Sequence, residues 1–130
     1  MIIKNLIQNL IAISLGAMLF FSFVIAPVTF KVLDANNASK FVRKIFPHYY
    51  LINLIILSVA VLLLLYISSV NLDFYITIVV TILFAFSLFI LMPLINKLKD
   101  NKEKRKFQYS HILSVIINFI QIIGLIYLVF

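Results

Sequence analysis

The segment His48–Val70, HYYLINLIILSVAVLLLLYISSV, decides the fold, because its 23 residues include no Asp, Glu, Lys or Arg. About 20 apolar residues in a helix cross the ~30 Å hydrocarbon core of a bilayer. Three further segments of 26, 23 and 23 residues share this property: Asn5–Phe30, Phe74–Asn96 and Gln108–Phe130. The sequence therefore predicts an all-α, polytopic membrane protein with a bundle of four transmembrane helices.

The composition agrees with this prediction. Of the 130 residues, 65% are hydrophobic and 12% are charged, whereas soluble domains have roughly 45–50% and about 25%. The first span is about twice as long as the 7–15-residue core of a signal peptide, so we expect a retained helix. We predict a single domain over residues 1–130, with spans at 5–30, 48–70, 74–96 and 108–130 and basic loops at 31–47 and 97–107.

The basic residues predict the topology. The loops after spans one and three lie on the same side and hold ten of the eleven Lys and Arg residues, leaving Lys4 on the other side. The positive-inside bias places both loops in the cytoplasm and both termini outside, in a bacterial-type inner membrane. All six Tyr residues lie near span ends, as in an interfacial aromatic belt: Tyr49, Tyr50, Tyr66, Tyr75, Tyr109 and Tyr127.

The same loops predict the partners of the protein. Phe41, Ile45 and their neighbours share one face of a short helix, predicted to lie on the membrane surface with Asn36 or Asn37 as its cap. The net charge of +7 is concentrated in the loops, so we expect contact with anionic lipid headgroups and none with nucleic acid. Small bundles often pair, and a homodimer is therefore an expected assembly.

Several chemistries are not indicated. The chain has no Cys, so thiol catalysis and cysteine-ligated metals are excluded. No span holds a charged residue, which argues against proton-coupled antiport. We therefore expect a protein that is not an enzyme and has no cofactor.

Polar residues converge on the cytoplasmic half of the predicted bundle, whereas the outer half is nearly pure Leu, Ile, Val and Phe. In span four, His111, Ser114, Asn118 and Gln121 form one stripe at helical spacing. Span two contributes His48 and Asn53 to the same half. Three prolines shape the helices near this level, because each removes a backbone hydrogen bond: Pro27, Pro47 and Pro93.

Two interpretations of these polar residues stay open. In one they are interhelical contacts worth ~0.6 kcal/mol per hydrogen bond. In the other they line a ligand or solute pocket open to the cytoplasm. An alternative function is a haem- or porphyrin-binding redox protein, with His48 and His111 as the axial ligands and the only metal-binding residues. A further alternative is passive permeation of a small solute.

The chain also contains a weak internal echo. Pro27 and Lys31, followed by Phe46 and His48, resemble Pro93 and Lys97, followed by Phe107 and His111. The pattern is that of a duplicated two-helix hairpin, with the copies related by an axis along the membrane normal.

Four motifs carry a resemblance to a known family. They are Gly16-x-x-x-Phe20-Phe21, Ala26-Pro27-x-x-Phe30, Ile45-Phe46-Pro47-x-Tyr49-Tyr50 and Phe107-x-x-x-His111-x-x-Ser114-x-x-x-Asn118. The chain resembles the transmembrane protein 205-like family, also known as domain of unknown function 4149. The resemblance implies a four-helix integral membrane protein without an assigned activity. It singles out Pro27, Pro47, Tyr50, Pro93, His111, Ser114 and Asn118.

Overall fold

Four long helices make up the fold. A computed structural model describes residues 1–130 and contains α1 (Ile2–Val32), α2 (Ala35–Tyr66), α3 (Leu72–Asp100) and α4 (Lys104–Val129). All four are long and apolar enough to span a membrane. At most 33% of the most apolar 18-residue window of any helix is buried within the bundle, which leaves a wide apolar surface to face lipid. The prediction of an all-helical protein is confirmed, and its four helices are long and apolar enough to span a membrane.

The helices are longer than the charge-free segments. The predicted loops at 31–47 and 97–107 are mostly helical, and only residues 33–34 and 101–103 interrupt the helices there. The prediction of a separate, short surface helix is wrong, because these residues form the beginning of α2. The predicted cap is also wrong, since the carboxylate of Asp34 accepts the amide of Asn37 at 2.9 Å. Pro47 lies inside α2 and frees only one carbonyl, so the helix continues through it.

The helices run alternately up and down in the ring order α1, α2, α3, α4. Both termini and the α2–α3 connection therefore lie at one end of the bundle, which we call the terminal end. The other connections, with ten of the eleven Lys and Arg residues around them, form the basic end. The centre is closed by one completely buried side chain from each helix: Met18, Leu57, Phe84 and Leu125.

Two helices change their winding at corresponding positions. α1 has a π-helical segment at Phe21–Ile25 and α3 has one at Ser87–Leu91. Each π segment is followed one residue later by a proline, Pro27 or Pro93. The two π segments begin 66 positions apart, and the two prolines are also 66 positions apart. The structure therefore adds a second feature to the internal echo in the sequence.

The π segments mark the level at which the two halves of the bundle separate. Toward the basic end, Ala26–Val32 packs mainly on α2 and Met92–Asp100 mainly on α4. The principal contacts between the α1–α2 hairpin and the α3–α4 hairpin lie nearer the terminal end. Since π segments and prolines bend helices, they explain why the hairpins diverge. We call the lines along which the hairpins meet the α1/α4 seam and the α2/α3 seam.

Candidate functional site

A cavity of about 430 Å³ lies where the hairpins diverge. All four helices line this basic-end cavity, with residues from the ranges 21–30, 39–50, 91–99 and 107–119. Both π segments contribute, since Ser22 lies in the first and Leu91 in the second. Most of the lining side chains are hydrophobic, as in typical small-molecule sites of roughly 300–1,000 Å³.

A polar cluster closes the inner end of the cavity. The side-chain oxygen of Asn118 accepts the hydroxyl of Tyr49 at 2.7 Å, and its Nδ2 donates to Ser22 Oγ at 2.8 Å. The three side chains come from α4, α2 and α1 and all line the cavity. The cluster therefore ties three helices together and presents amide and hydroxyl groups to a ligand.

Aromatic rings separate this cavity from the centre of the bundle. The rings of Phe21 and Tyr49 stack with centroids 4.1 Å apart, and those of Phe46 and Tyr50 stack at 5.8 Å. Phe84 packs against both tyrosines, at 6.1 and 6.3 Å. Tyr49 and Tyr50 are only 7% exposed. The assignment of these two tyrosines to an interfacial belt is therefore wrong, because they face the interior of the bundle.

Charged side chains bridge the α2/α3 seam at the mouth of the cavity. Arg43 pairs with Asp100 through an Nη2–Oδ1 contact of 2.6 Å and donates to the carbonyl of Asn96 at 3.3 Å. Lys99 donates to Ser39 Oγ at 2.7 Å. Because Asp100 neutralises Arg43 and only a neutral hydroxyl binds Lys99, the mouth retains positive charge.

The α1/α4 seam has no charged bridge at this level. Phe23 and Phe119 meet there edge to face, with centroids 6.2 Å apart. Phe23 is 56% exposed and Phe119 is 45% exposed, although both line the cavity. Closer to the basic end, His111 stacks on Phe107 at 6.1 Å, and Ser114 donates to the carbonyl of His111 at 2.6 Å.

The structure brings three of the six predicted ligand-binding residues to the cavity, namely His111, Ser114 and Asn118. His48 lies elsewhere, with its Nδ1 at 2.9 Å from the carbonyl of Lys44. The pair His48 and His111 is therefore not assembled in one cavity, and haem binding stays a prediction. No group of three or more His, Cys, Asp or Glu side chains is placed to hold a metal ion.

Asn53 and Gln121 make interhelical contacts outside the cavity. Asn53 accepts the hydroxyl of Ser14 at 2.6 Å and donates to the carbonyl of Tyr49 at 2.8 Å. Gln121 donates to the carbonyl of Val80 at 3.1 Å, and its buried Oε1 has no partner. In the structure these two amides join helices within a hairpin, as the packing interpretation expects.

Sequence reasoning did not place Tyr49, Arg43 or Lys99 in a site. Tyr49 and Tyr50 were assigned to the membrane interface, and the basic residues were assigned to loops. The one available signal was the Phe46-Pro47-x-Tyr49-Tyr50 motif, which pointed to the correct stretch without giving the direction of the rings.

A second, more polar pocket of about 220 Å³ lies at the terminal end. Its lining includes Lys4, Gln8, Asp73 and Thr77. Gln8 donates to the carbonyls of Leu128 and Val129, both at 3.1 Å. The expectation of a nearly pure apolar outer half is therefore wrong at its very end.

Fold and site together define a four-helix, multi-pass membrane protein with a cavity between its two hairpins. The model of the family described as "Domain of unknown function (DUF4149)" matches residues 9–104, and the chain belongs to this family. The matched range covers α2, α3 and most of α1, and it ends at the first residue of α4. The family recognised in the sequence is confirmed.

A relative from Aquifex aeolicus (strain VF5), described as "Uncharacterized protein", is 37% identical over 60 residues. The match covers 46% of this chain and 46% of the relative, so the two chains are similar over about half their lengths. No solved structure matches the chain.

Proposed function

We propose that the protein is an inner-membrane receptor or carrier for a small amphipathic molecule with an anionic group, bound in the basic-end cavity without chemical conversion. The observation that carries the proposal is the combination in one cavity of aromatic walls, a polar inner end and a positively charged mouth. Aromatic walls suit an apolar body, and a few polar groups fix its orientation.

The proposed orientation places the basic end in the cytoplasm and both termini outside. Ten basic residues surround the basic end, against Lys4 at the terminal end, and this asymmetry supports the orientation. The mouth of the cavity then faces the anionic cytoplasmic leaflet. The basic residues around it attract anionic ligands and lipid headgroups alike.

Lys99 is the residue proposed to hold the anionic group. Its Nζ lies 5.6 Å from the centroid of the Phe107 ring and binds only the hydroxyl of Ser39. An anion would replace a neutral acceptor with a charged one, and hydrogen bonds to charged groups are about twice as strong. Arg43 is already neutralised by Asp100, so we assign it to the structure of the mouth.

The state of the hydroxyl groups supports binding without chemistry. Ser114 donates to a backbone carbonyl, and Ser22 accepts from the Asn118 amide. In neither case is the partner a base that would activate the hydroxyl as a nucleophile.

The test compares oleate with oleyl alcohol, which has the same chain without the charge. Purified protein in detergent is titrated with each, and binding is followed by the thermal unfolding midpoint. We expect oleate to bind more tightly, and Lys99→Gln to weaken oleate binding by about tenfold while leaving oleyl alcohol unchanged. Lys104→Gln, an exposed lysine at the beginning of α4, is the matched control. Equal binding of both ligands, or equal effects of both variants, would contradict the proposal.

A further inference from the structure

The basic-end cavity opens sideways as well as toward the mouth. Four hydrophobic residues with 39–60% exposure line it along the α1/α4 seam: Phe23, Phe30, Val115 and Phe119. The exposed His111 lines the cavity closer to the basic end. A wall made of side chains that are both exposed and apolar is an opening toward lipid, because this surface of the bundle faces hydrocarbon in a membrane.

The backbone geometry agrees with a sideways opening. α4 packs on α1 mainly along Ile2–Phe20, and Ala26–Val32 turns to α2 instead. Between these regions the seam is crossed by the Asn118–Ser22 hydrogen bond and by the Phe23–Phe119 ring pair. Of these two contacts, only the ring pair is apolar and exposed.

The opposite seam is closed by charge. Arg43 and Asp100 form a bidentate contact, with distances of 2.6 and 3.3 Å, between α2 and α3. Lys99 and Ser39 make a second bridge between the same helices. An apolar chain therefore has a path out of the cavity across the α1/α4 seam, and it meets polar groups at the α2/α3 seam.

We propose that the ligand is a single-chain anionic lipid that enters from the bilayer through the α1/α4 seam, with Phe23 and Phe119 as the gate. This inference rests on the proposed function and names the source of the ligand. The size of the cavity, about 430 Å³, is at the lower end of the range for small-molecule sites, roughly 300–1,000 Å³. One chain fits this size better than the two chains of a phospholipid.

The gate is testable because the chain has no cysteine. The double variant Phe23→Cys/Phe119→Cys is reconstituted in nanodiscs and joined with a short bismaleimide. Oleate is supplied in the bilayer, and octanoate, which has the same headgroup, is supplied in water. We expect the link to slow the uptake of oleate by about tenfold or more and to leave the uptake of octanoate unchanged, because a closed gate raises the barrier on one route only.

The outcomes separate the two proposals. If the linked protein takes up oleate as fast as the unlinked protein does, entry through the seam is wrong and the cavity remains the proposed site. If the unlinked protein binds neither oleate nor octanoate, the proposed function itself fails, and the inference fails with it.

Single substitutions test the gate without a crosslink. Phe89 lies 66 positions after Phe23 in the second π segment, is 66% exposed and does not line the cavity, so it is a matched control. Phe23→Ala should speed both the entry and the release of oleate by about tenfold, because a gate sets the barrier to passage and acts on both rates. Phe89→Ala should leave the release rate unchanged. Equal rates in both variants would overturn the gate.

Discussion

The two seams between the hairpins occupy equivalent positions in the repeat but are held by different interactions. The α1/α4 seam is joined by a half-buried amide–hydroxyl cluster and an exposed pair of Phe rings. The α2/α3 seam is joined by a solvated ion pair whose side chains are 36% and 60% exposed. Water weakens hydrogen bonds inside the bundle little, whereas it weakens the attraction between solvated charges strongly. We therefore expect the amide–hydroxyl cluster to contribute more to stability than the ion pair does, and the ion pair to be the more sensitive to salt.

The largest effect is expected where the α1/α4 seam depends on one amide. Asn118→Leu removes the two hydrogen bonds that the amide makes with Tyr49 and Ser22. The expected loss in the free energy of unfolding is about 1–2 kcal/mol, because an interhelical hydrogen bond in a membrane protein is worth ~0.6 kcal/mol on average and up to about 1.7. Unfolding in mixed detergent micelles measures this loss, with the exposed Asn5→Leu as control. A stable Asn118→Leu would show that the cluster does not hold the seam.

A smaller, salt-dependent effect is expected at the α2/α3 seam. Arg43→Gln breaks the contact with Asp100, and pairs this exposed contribute at most about 1 kcal/mol. Raising the salt concentration should reduce the difference in stability between the original protein and the variant, because salt screens the solvated ion pair. The same titration should leave the effect of Asn118→Leu unchanged. Equal salt responses would remove the distinction between the two seams.

Gln121 allows a polar contact within a hairpin to be compared with the contacts at the two seams. Its Oε1 is buried without a partner. Gln121→Met has a similar shape and removes both the unpaired oxygen and the bond to the carbonyl of Val80. We expect a change between zero and about 1 kcal/mol of stabilisation in the same unfolding assay. A clear destabilisation would indicate that the oxygen binds a water molecule or a ligand, and would extend the site toward the centre of the bundle.

The sequence predicted the four spans because lipid imposes a simple rule. An apolar run of more than 20 residues without charge forms a membrane helix in most cases, whichever helices pack against it. The helix ends were predicted less well, since charged residues are excluded from hydrocarbon but not from helices. Lys31 and Lys97 therefore lie inside α1 and α3, although each of them directly follows a charge-free segment.

The candidate site was predicted only in part, because periodicity gives a face and not a depth or a partner. Asn118 and Gln121 lie on one stripe, yet the first meets the cavity and the second meets Val80. His48 and Tyr49 are adjacent and differ by about 100° around the helix, assuming 3.6 residues per turn. The sequence does not give the angles at which neighbouring helices cross. It therefore could not show which face of each helix turns toward the cavity.

The smallest effect is expected at His48, which makes no contact across either seam. Its ring contacts only the carbonyl of Lys44 within its own helix. His48→Ala should therefore leave oleate affinity unchanged, whereas His111→Ala should weaken it by about 0.5–1.5 kcal/mol.

The visible absorption spectrum of the purified protein tests the same two histidines independently. Haem ligation by both residues would produce a Soret band that either substitution removes. A band lost in both variants would show that the hairpins can bring His48 and His111 together, and the two seams would then have to move.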